Sequence, residues 1–286
     1  MIMKDELKIL KDINDTLGVE KFDFKNPFKM KEIGGFILGK ELGKGAYAAV
    51  KVGVHKETKQ RAAVKMYDRM KQNQLKLNII IREVKNLCQL DHPSIIKVLG
   101  YYEGTKYICI IMEFGGSSSL LDIVNKSQHM RMAEDKAKPL IRQVIEALAY
   151  CHMKCIYHRD IKLDNILVDE SGCIKMIDFG FSEKIAEGQK STSYCGAPAF
   201  FAPEILNKQP FYPEYSDIWA VGVLIYRMIA GFFPFQDEDL HELGRKIAAI
   251  QIFYPVYFSE SLTSLLKNIF KNPPTSRMTL IEVADL

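Results

Sequence analysis

Lys65 closes the strand-like segment AAVK, and Glu83 stands on the helical stretch IIREVKNL that follows. A strand lysine and a helix glutamate can pair so that the ammonium is aimed at a nucleotide's phosphates, although each alone is an ordinary surface residue. Upstream, GKGAYAAV (43–50) supplies Gly43 and Gly45 between two predicted strands. Glycines let a backbone approach phosphate with no Cβ in the way, and free amides can point at it. A glycine-rich hairpin is also, more often, only a turn. A dinucleotide-binding fold would need a helix straight after the glycines, and AAVKVGV reads as a strand, so that alternative fails.

The more specific signal is YHRDIKLDNILVD (157–169), which carries H-R-D-x-K-x-x-N with Arg159, Asp160, Lys162 and Asn165, followed thirteen residues after Asn165 by Asp178 in IDFG. With these motifs the chain resembles a eukaryotic protein kinase, and the matching motifs run from Gly43 to Arg277. The resemblance implies an α+β, bilobal protein kinase fold. In it a small β-rich N-lobe carries one main helix, and the larger C-lobe is α-helical.

It also implies phosphoryl transfer, which needs positioning and charge neutralisation more than covalent help. Asp178 and Asn165 would be the Mg2+ ligands, as hard oxygen donors suited to that ion. Asp160 would orient the substrate hydroxyl and accept its proton, and Lys162 would neutralise charge on the moving phosphoryl group. Lys65, held by Glu83, would grip the ATP phosphates. Leu42, Val50, Ala63 and Leu167 match family positions that sandwich adenine, and Glu113, behind a bulky Met112, begins the connection whose backbone would bond it.

The stretch from Asp178 to Glu204 corresponds to the family's activation segment, with Ala202-Pro203-Glu204 at its end and Glu204 expected to pair with Arg277. YSDIWAVGVLIY, with Asp217 and Trp219, matches the helix after it, and plain core is an equally valid description of that helix. Ser191, Thr192, Ser193 and Tyr194 are candidate phosphate acceptors and Arg159 the candidate partner, since a phosphate adds about −1.5 to −2 charge and can order a loop against arginine. By its spacing to Cys195-Gly196, Ser193 is the expected switch.

Lys162 and CGAPAFFAPE resemble serine/threonine kinases; HPSIIKVLGYYE, MEF, HRDIKLDNIL and CGAPAFFAPEIL look most like the calcium/calmodulin-dependent and AMP-activated-like group, with Polo-like and Aurora-like kinases as near competitors. Three positions depart from the pattern. Ala48 replaces a third glycine. Ser119 stands where relatives that prefer basic substrates often carry glutamate, leaving Asp122 and Asp164 to attract basic peptides. Ala197 stands where most relatives have a hydroxyl that bridges the catalytic aspartate and lysine. The expected partners are ATP and proteins with Ser/Thr acceptors, together with an upstream kinase or autophosphorylation. The alternative is a pseudokinase, a nucleotide-binding scaffold or allosteric partner. Every charged catalytic position is present, which favours the enzyme.

These residues need elements to hold them. GFILGKELG, AAVKVGVHK and QRAAVKMYD read as strands, with a hairpin at Lys56–Thr58. Residues 73–89 carry Ile79, Ile80, Val84, Leu87 and Cys88 on one broad helical face. Two short strands follow, at 96–102 and 106–112. The expected organisation is an extension at 1–33, an N-lobe at 34–112, a hinge at 113–118 and a C-lobe at 119–286. In the extension, Leu7, Leu10, Ile13 and Leu17 fit either an amphipathic helix or a loosely attached segment.

The whole has 286 residues, 48% hydrophobic and 26% charged, with a net charge of +4. That charge is too weak to argue for nucleic acid. The longest apolar run, YICIIM, is far short of a membrane span. Six scattered cysteines point to reduced thiols and an intracellular, cytoplasmic setting, with the nucleus left open.

Overall fold

The computed structural model describes residues 32–45 and 48–284, and residues 1–31 of the extension expected at 1–33 lie outside them. The chain divides into two compact units. One comprises the described residues up to Asp91 together with Ile96–Ser117, the other His92–Ile95 and Ser118 onward.

In the first unit, β1 (Glu32–Ile33), β2 (Phe36–Lys44), β3 (Ala48–His55), β4 (Arg61–Asp68), β5 (Val98–Glu103) and β6 (Tyr107–Glu113) form one antiparallel sheet in the order β1-β2-β3-β4-β6-β5. Glu32 and Ile33, read from sequence as part of the extension, are therefore sheet residues, and Ile33 is fully buried. The β3–β4 hairpin turns through Lys56–Thr58 as expected, closed by His55 N–H donating to Gln60 O at 2.8 Å.

Side chains alternate across a strand. Ala62, Val64 and Met66 of β4 and Tyr107, Cys109 and Ile111 of β6 fall on one face and pack with Ile33 and Phe36 as a core cluster. Burial of the larger aliphatic and phenyl side chains among them, Ile33, Phe36, Val64, Met66 and Ile111, contributes on the order of 1.5–3 kcal/mol each. The same alternation turns Ala63 and Lys65 to the other face, with Val50 paired to Lys65 and Met112 paired to Ala63. Helix α1 (Gln74–Leu87) is capped by Asn73, whose side chain accepts from Lys76 N–H at 3.0 Å. Ile80, Val84 and Leu87 make its buried stripe, with Glu83 set inside it.

The second unit is mostly helical: α2 (Leu120–Lys126), α3 (Glu134–Met153), α4 (Pro203–Leu206), α5 (Pro213–Ala230), α6 (Leu240–Ala248), α7 (Glu260–Ile269) and α8 (Leu280–Ala284). It also holds two small sheets that the sequence pattern does not show: β7 (Ser118–Ser119), β9 (Ile166–Val168) and β10 (Ile174–Met176) in one, β8 (Ile156–Tyr157) and β11 (Glu183–Lys184) in the other. Strands of two or three residues are too short for alternation to reveal. His92–Ile95 sorts with this unit because Ile95 bridges Met176, whose N–H donates to Ser94 O at 2.8 Å.

Helix α5 is the core of the second unit, buried along almost its whole length. Trp219 stacks on Phe235 with centroids 5.6 Å apart and meets Phe270 edge-on. Gly222 permits this packing, since a Cβ there would lie 2.6 Å from Ile269 Cγ2.

Candidate active site

In the first unit, Lys65 Nζ donates to Glu83 Oε1 at 2.8 Å, and Tyr67 O–H donates to Glu83 Oε2 at 3.0 Å. The Glu83 side chain is only 2% exposed. A carboxylate buried in an apolar helix stripe is tolerated when both oxygens are engaged, as here. Burial, then the Glu83 carboxylate, push the Tyr67 phenol far above its ordinary value, so it stays a donor. The strand lysine and helix glutamate read from sequence are thus joined, with a tyrosine third partner that the sequence reading missed.

Gly43 pairs with Val50, and Gly45 N–H donates to Ala48 O at 2.8 Å. A Cβ at Gly43 would meet nothing within 4 Å, and one at Gly45 would make only an ordinary contact. The fold's own packing therefore does not require glycine at either position. Leu42 is exposed, while Val50 and Ala63 are half-buried. Glu113 N–H donates to Lys97 O at 2.9 Å and its carboxylate accepts from Lys97 N–H at 2.8 Å, which fixes the end of β6.

In the second unit, β8 delivers the chain into the loop 158–165. Asp160 Oδ2 accepts from Lys162 Nζ at 2.6 Å and from Asn165 Nδ2 at 2.9 Å, and Asn165 Nδ2 also donates to Asp160 O at 2.9 Å. The loop is pinned from below by Asp217 of α5. Its Oδ2 accepts from His158 N–H at 3.0 Å and its Oδ1 from Arg159 N–H at 2.8 Å, while His152 Nε2 lies 3.0 Å from Oδ2. Asp160 N–H donates to His158 Nδ1, so the opposite ring nitrogen, Nε2, donates to Ile177 O at 3.1 Å.

Phe179 is fully buried edge-on to His158, with centroids 4.6 Å apart. Asp178 before it has φ 62°, and Arg159 has φ 65°. Left-handed backbone at non-glycine residues costs of order 1–3 kcal/mol and persists where the surroundings over-determine it. Gly196, at φ 111°, lies so close to this loop that a Cβ would sit 2.9 Å from Arg159 O. At the end of the segment, Arg277 meets Glu204 through two bonds, Nη1 to Oε1 at 2.6 Å and Nη2 to Oε2 at 2.7 Å, as the sequence led us to expect.

A family model described as "Protein kinase domain" matches residues 36–285. The chain belongs to the protein kinase domain family. Similar proteins include CBL-interacting protein kinase 31 of Oryza sativa subsp. japonica, 32% identical over 265 residues, covering 91% of this chain and 58% of that protein. Another is CBL-interacting serine/threonine-protein kinase 26 of Arabidopsis thaliana, 34% identical over 263 residues, covering 90% and 59% respectively. The chain therefore spans less than two thirds of the length of these relatives.

The residues of this kinase domain fit Mg2+. Asn165 spends its NH2 group on Asp160, which orients its Oδ1 as the remaining hard acceptor. Among the described residues no group of three or more His, Cys, Asp and Glu is arranged to hold a metal. Asn165 and Asp178 suit an ion that takes few protein oxygens and relies on phosphate and water for the rest.

Other sequence candidates have settled jobs in the kinase domain. Leu167 lies in β9 opposite Lys175 and Ser119. Asp122 is the acid of a capping box for α2: it accepts from Ser119 N–H at 2.9 Å and Ser119 Oγ at 2.8 Å. The Ser119 backbone bond, then its hydroxyl, hold the Asp122 carboxyl below its usual range. Thr192 and Ser193 are exposed, whereas Ser191 is buried in a two-bond bridge with Phe211. No helix among the described residues is long and apolar enough to cross a membrane.

Proposed function

We propose that this chain is the catalytic domain of an active protein serine/threonine kinase, transferring the ATP γ-phosphoryl group to Ser and Thr hydroxyls of protein substrates. The observation that carries it is the Asp160 carboxylate, 2% exposed and fixed by Lys162 and Asn165 on a loop anchored from α5. A carboxylate locked in this way can orient a hydroxyl and take its proton without spending entropy on positioning. Lys162 supplies positive charge beside it, where charge develops on the transferring group.

Lys65, aimed by Glu83, would hold the α- and β-phosphates, and Gly43 and Gly45 leave backbone open to them. Leu42, Val50 and Ala63 would contact adenine, with Met112 and Glu113 at its edge. Asn165 and Asp178 would hold Mg2+, which when bound neutralises phosphate charge. Ser193 and Thr192 are exposed enough to accept phosphate that tunes activity. The reducing, cytoplasmic setting in this proposal rests on the six cysteines, all present as free thiols.

Phosphate transfer from radiolabelled ATP to a generic basic protein tests the reading, with Asp160→Asn as control. Label incorporation well above the control is expected. Equal signal from both proteins would refute the enzyme and leave the pseudokinase.

A further inference from the structure

Arg159 gathers more of the segment after Phe179 than any other side chain of the loop. Its Nε donates to Phe181 O at 2.9 Å. Nη1 donates to Ser191 Oγ at 3.0 Å and to Ser193 O at 3.2 Å, and Nη2 reaches Ser193 Oγ at 3.3 Å. The same Nη1 forms an ion pair with Glu183 Oε2. Ser191 Oγ donates to that carboxylate oxygen at 2.8 Å and accepts from Ser193 N–H at 3.1 Å. One carboxylate, one guanidinium and one hydroxyl thus close a ring that holds Ser191 and Ser193 in place.

The placement of Glu183 is fixed by backbone. It pairs with Tyr157 across β11 and β8, so the strand leading into the Arg159 loop and the strand leaving Phe181 hold the two charges together. The Arg159 side chain is 3% exposed and that of Glu183 28% exposed. A guanidinium so far from water needs a counter-charge. Glu183 is the one carboxylate bonded to it among the described residues.

We propose that Glu183 is a positioning residue that gives Arg159, without any modification, the negative charge an activation-segment phosphate would otherwise bring. The proposal rests on the kinase reading above. Phosphate on Ser193 would add about −1.5 to −2 charge beside a guanidinium that Glu183 already neutralises. It would have to displace that carboxylate or be repelled by it, so its net effect is the small difference between two ion pairs. The segment is ordered, and the kinase active, in the phosphate-free chain, and Ser193 phosphorylation adjusts the rate without switching it on.

The experiment uses the full chain made phosphate-free by phosphatase and verified by intact mass. Steady-state kinetics are measured for the unaltered chain, Glu183→Gln, Glu183→Asp and Asp160→Asn, together with hydrogen exchange across residues 185–200. The phosphate-free chain should turn over well above Asp160→Asn. Glu183→Gln should lower kcat roughly tenfold with little change in KM for ATP and speed exchange in 185–200. Glu183→Asp should restore most of both.

Unchanged kcat and exchange in Glu183→Gln would overturn the proposal. So would a gain of tenfold or more on stoichiometric Ser193 phosphorylation of the unaltered chain, a measurement that needs no variant to fold. No turnover beyond Asp160→Asn in the phosphate-free chain, with turnover appearing on Ser193 phosphorylation, would likewise overturn the proposal; no turnover in either form would make the kinase reading fail by itself. Exchange then still decides whether Glu183 orders the segment.

Discussion

Glu83 sits in the middle of the buried stripe of α1 and engages Lys65 at 2.8 Å and Tyr67 at 3.0 Å, so that one carboxylate joins the helix to β4 at two points. Removing either partner has different consequences. Lys65→Ala leaves a nearly dry carboxylate with only a phenol, which should destabilise the protein by about 3–5 kcal/mol and abolish turnover. Tyr67→Phe removes one neutral donor and should cost about 1–2 kcal/mol while leaving Lys65 paired and most activity intact. Urea unfolding and kcat/KM on the two variants check this, and equal losses of activity would contradict it.

Lys65 and Glu83 were legible in the sequence because each belongs to an element with a strong period, two for β4 and about 3.6 for α1. Asp160, Lys162, Asn165 and Asp178 were legible for another reason: their spacing is the motif by which the sequence resembles protein kinases, and their roles were implied by that resemblance. What lay hidden were partners brought in by tertiary packing. Asp217 lies within an apolar helix that reads as core, and nothing in YSDIWAV reveals that its carboxylate turns back to two backbone N–H groups of the loop. Glu183 lies in a two-residue strand, below the length at which alternation gives a signal. Asp122 shows a second job that its spacing does carry, since an acidic residue three positions after a serine is a capping-box pattern, while the residue itself stays exposed.

The second ion pair that ties distant parts of the sequence together is Arg277 with Glu204. The arginine side chain is fully buried and its guanidinium also lies 4.8 Å from the Trp219 ring centroid. Lysine can reproduce neither the two-pronged geometry nor the stacking. Arg277→Ala should cost about 3–5 kcal/mol, because Glu204 keeps its charge without its partner, and Arg277→Lys should recover less than half of that loss. Denaturant midpoints on both variants test the ranking. A lysine variant as stable as the unaltered chain would show that charge alone suffices.

Stability should also fall on the alkaline side. Burial raises the thiols of Cys88, Cys109 and Cys151, that of Cys109 to about 12. It raises the phenols of Tyr67, Tyr101, Tyr226 and Tyr254 as well. A group whose folded value lies above its unfolded one gives stability that is whole below the unfolded value and is lost as pH rises through the folded one. With unfolded values near 8.5 for cysteine and about 10 for tyrosine, the loss should begin above about pH 8.5 and steepen above about pH 10. Urea midpoints at pH 7.5, 9 and 10.5 should fall in that order, and Cys109→Ala should flatten the first part of the slope. A midpoint constant to pH 10.5 would count against this assignment.

Ala197 decides how much rate the site gives up. It begins the short turn Pro198–Phe200 and lines, with Arg159, Asp160, Cys195 and Gly196, a cavity of about 20 Å³. Asp160 Oδ2 is engaged by Lys162 and Asn165, while Oδ1 accepts no hydrogen bond among the described residues. A hydroxyl at 197 would be a donor for such an oxygen and an acceptor for the Lys162 ammonium. Lys162 already reaches Asp160 at 2.6 Å without that help, so the pair is aligned and the missing hydroxyl affects its rigidity more than its existence. The gain from restoring one hydrogen bond is then about 1 kcal/mol, or roughly fivefold in kcat. Ala197→Thr should show that increase with KM for ATP unchanged, and Ala197→Ser a similar increase with less steric demand on the cavity. If serine raises kcat and threonine does not, the cavity is too small for the extra methyl group. If neither does, the Lys162–Asp160 contact alone accounts for the alignment.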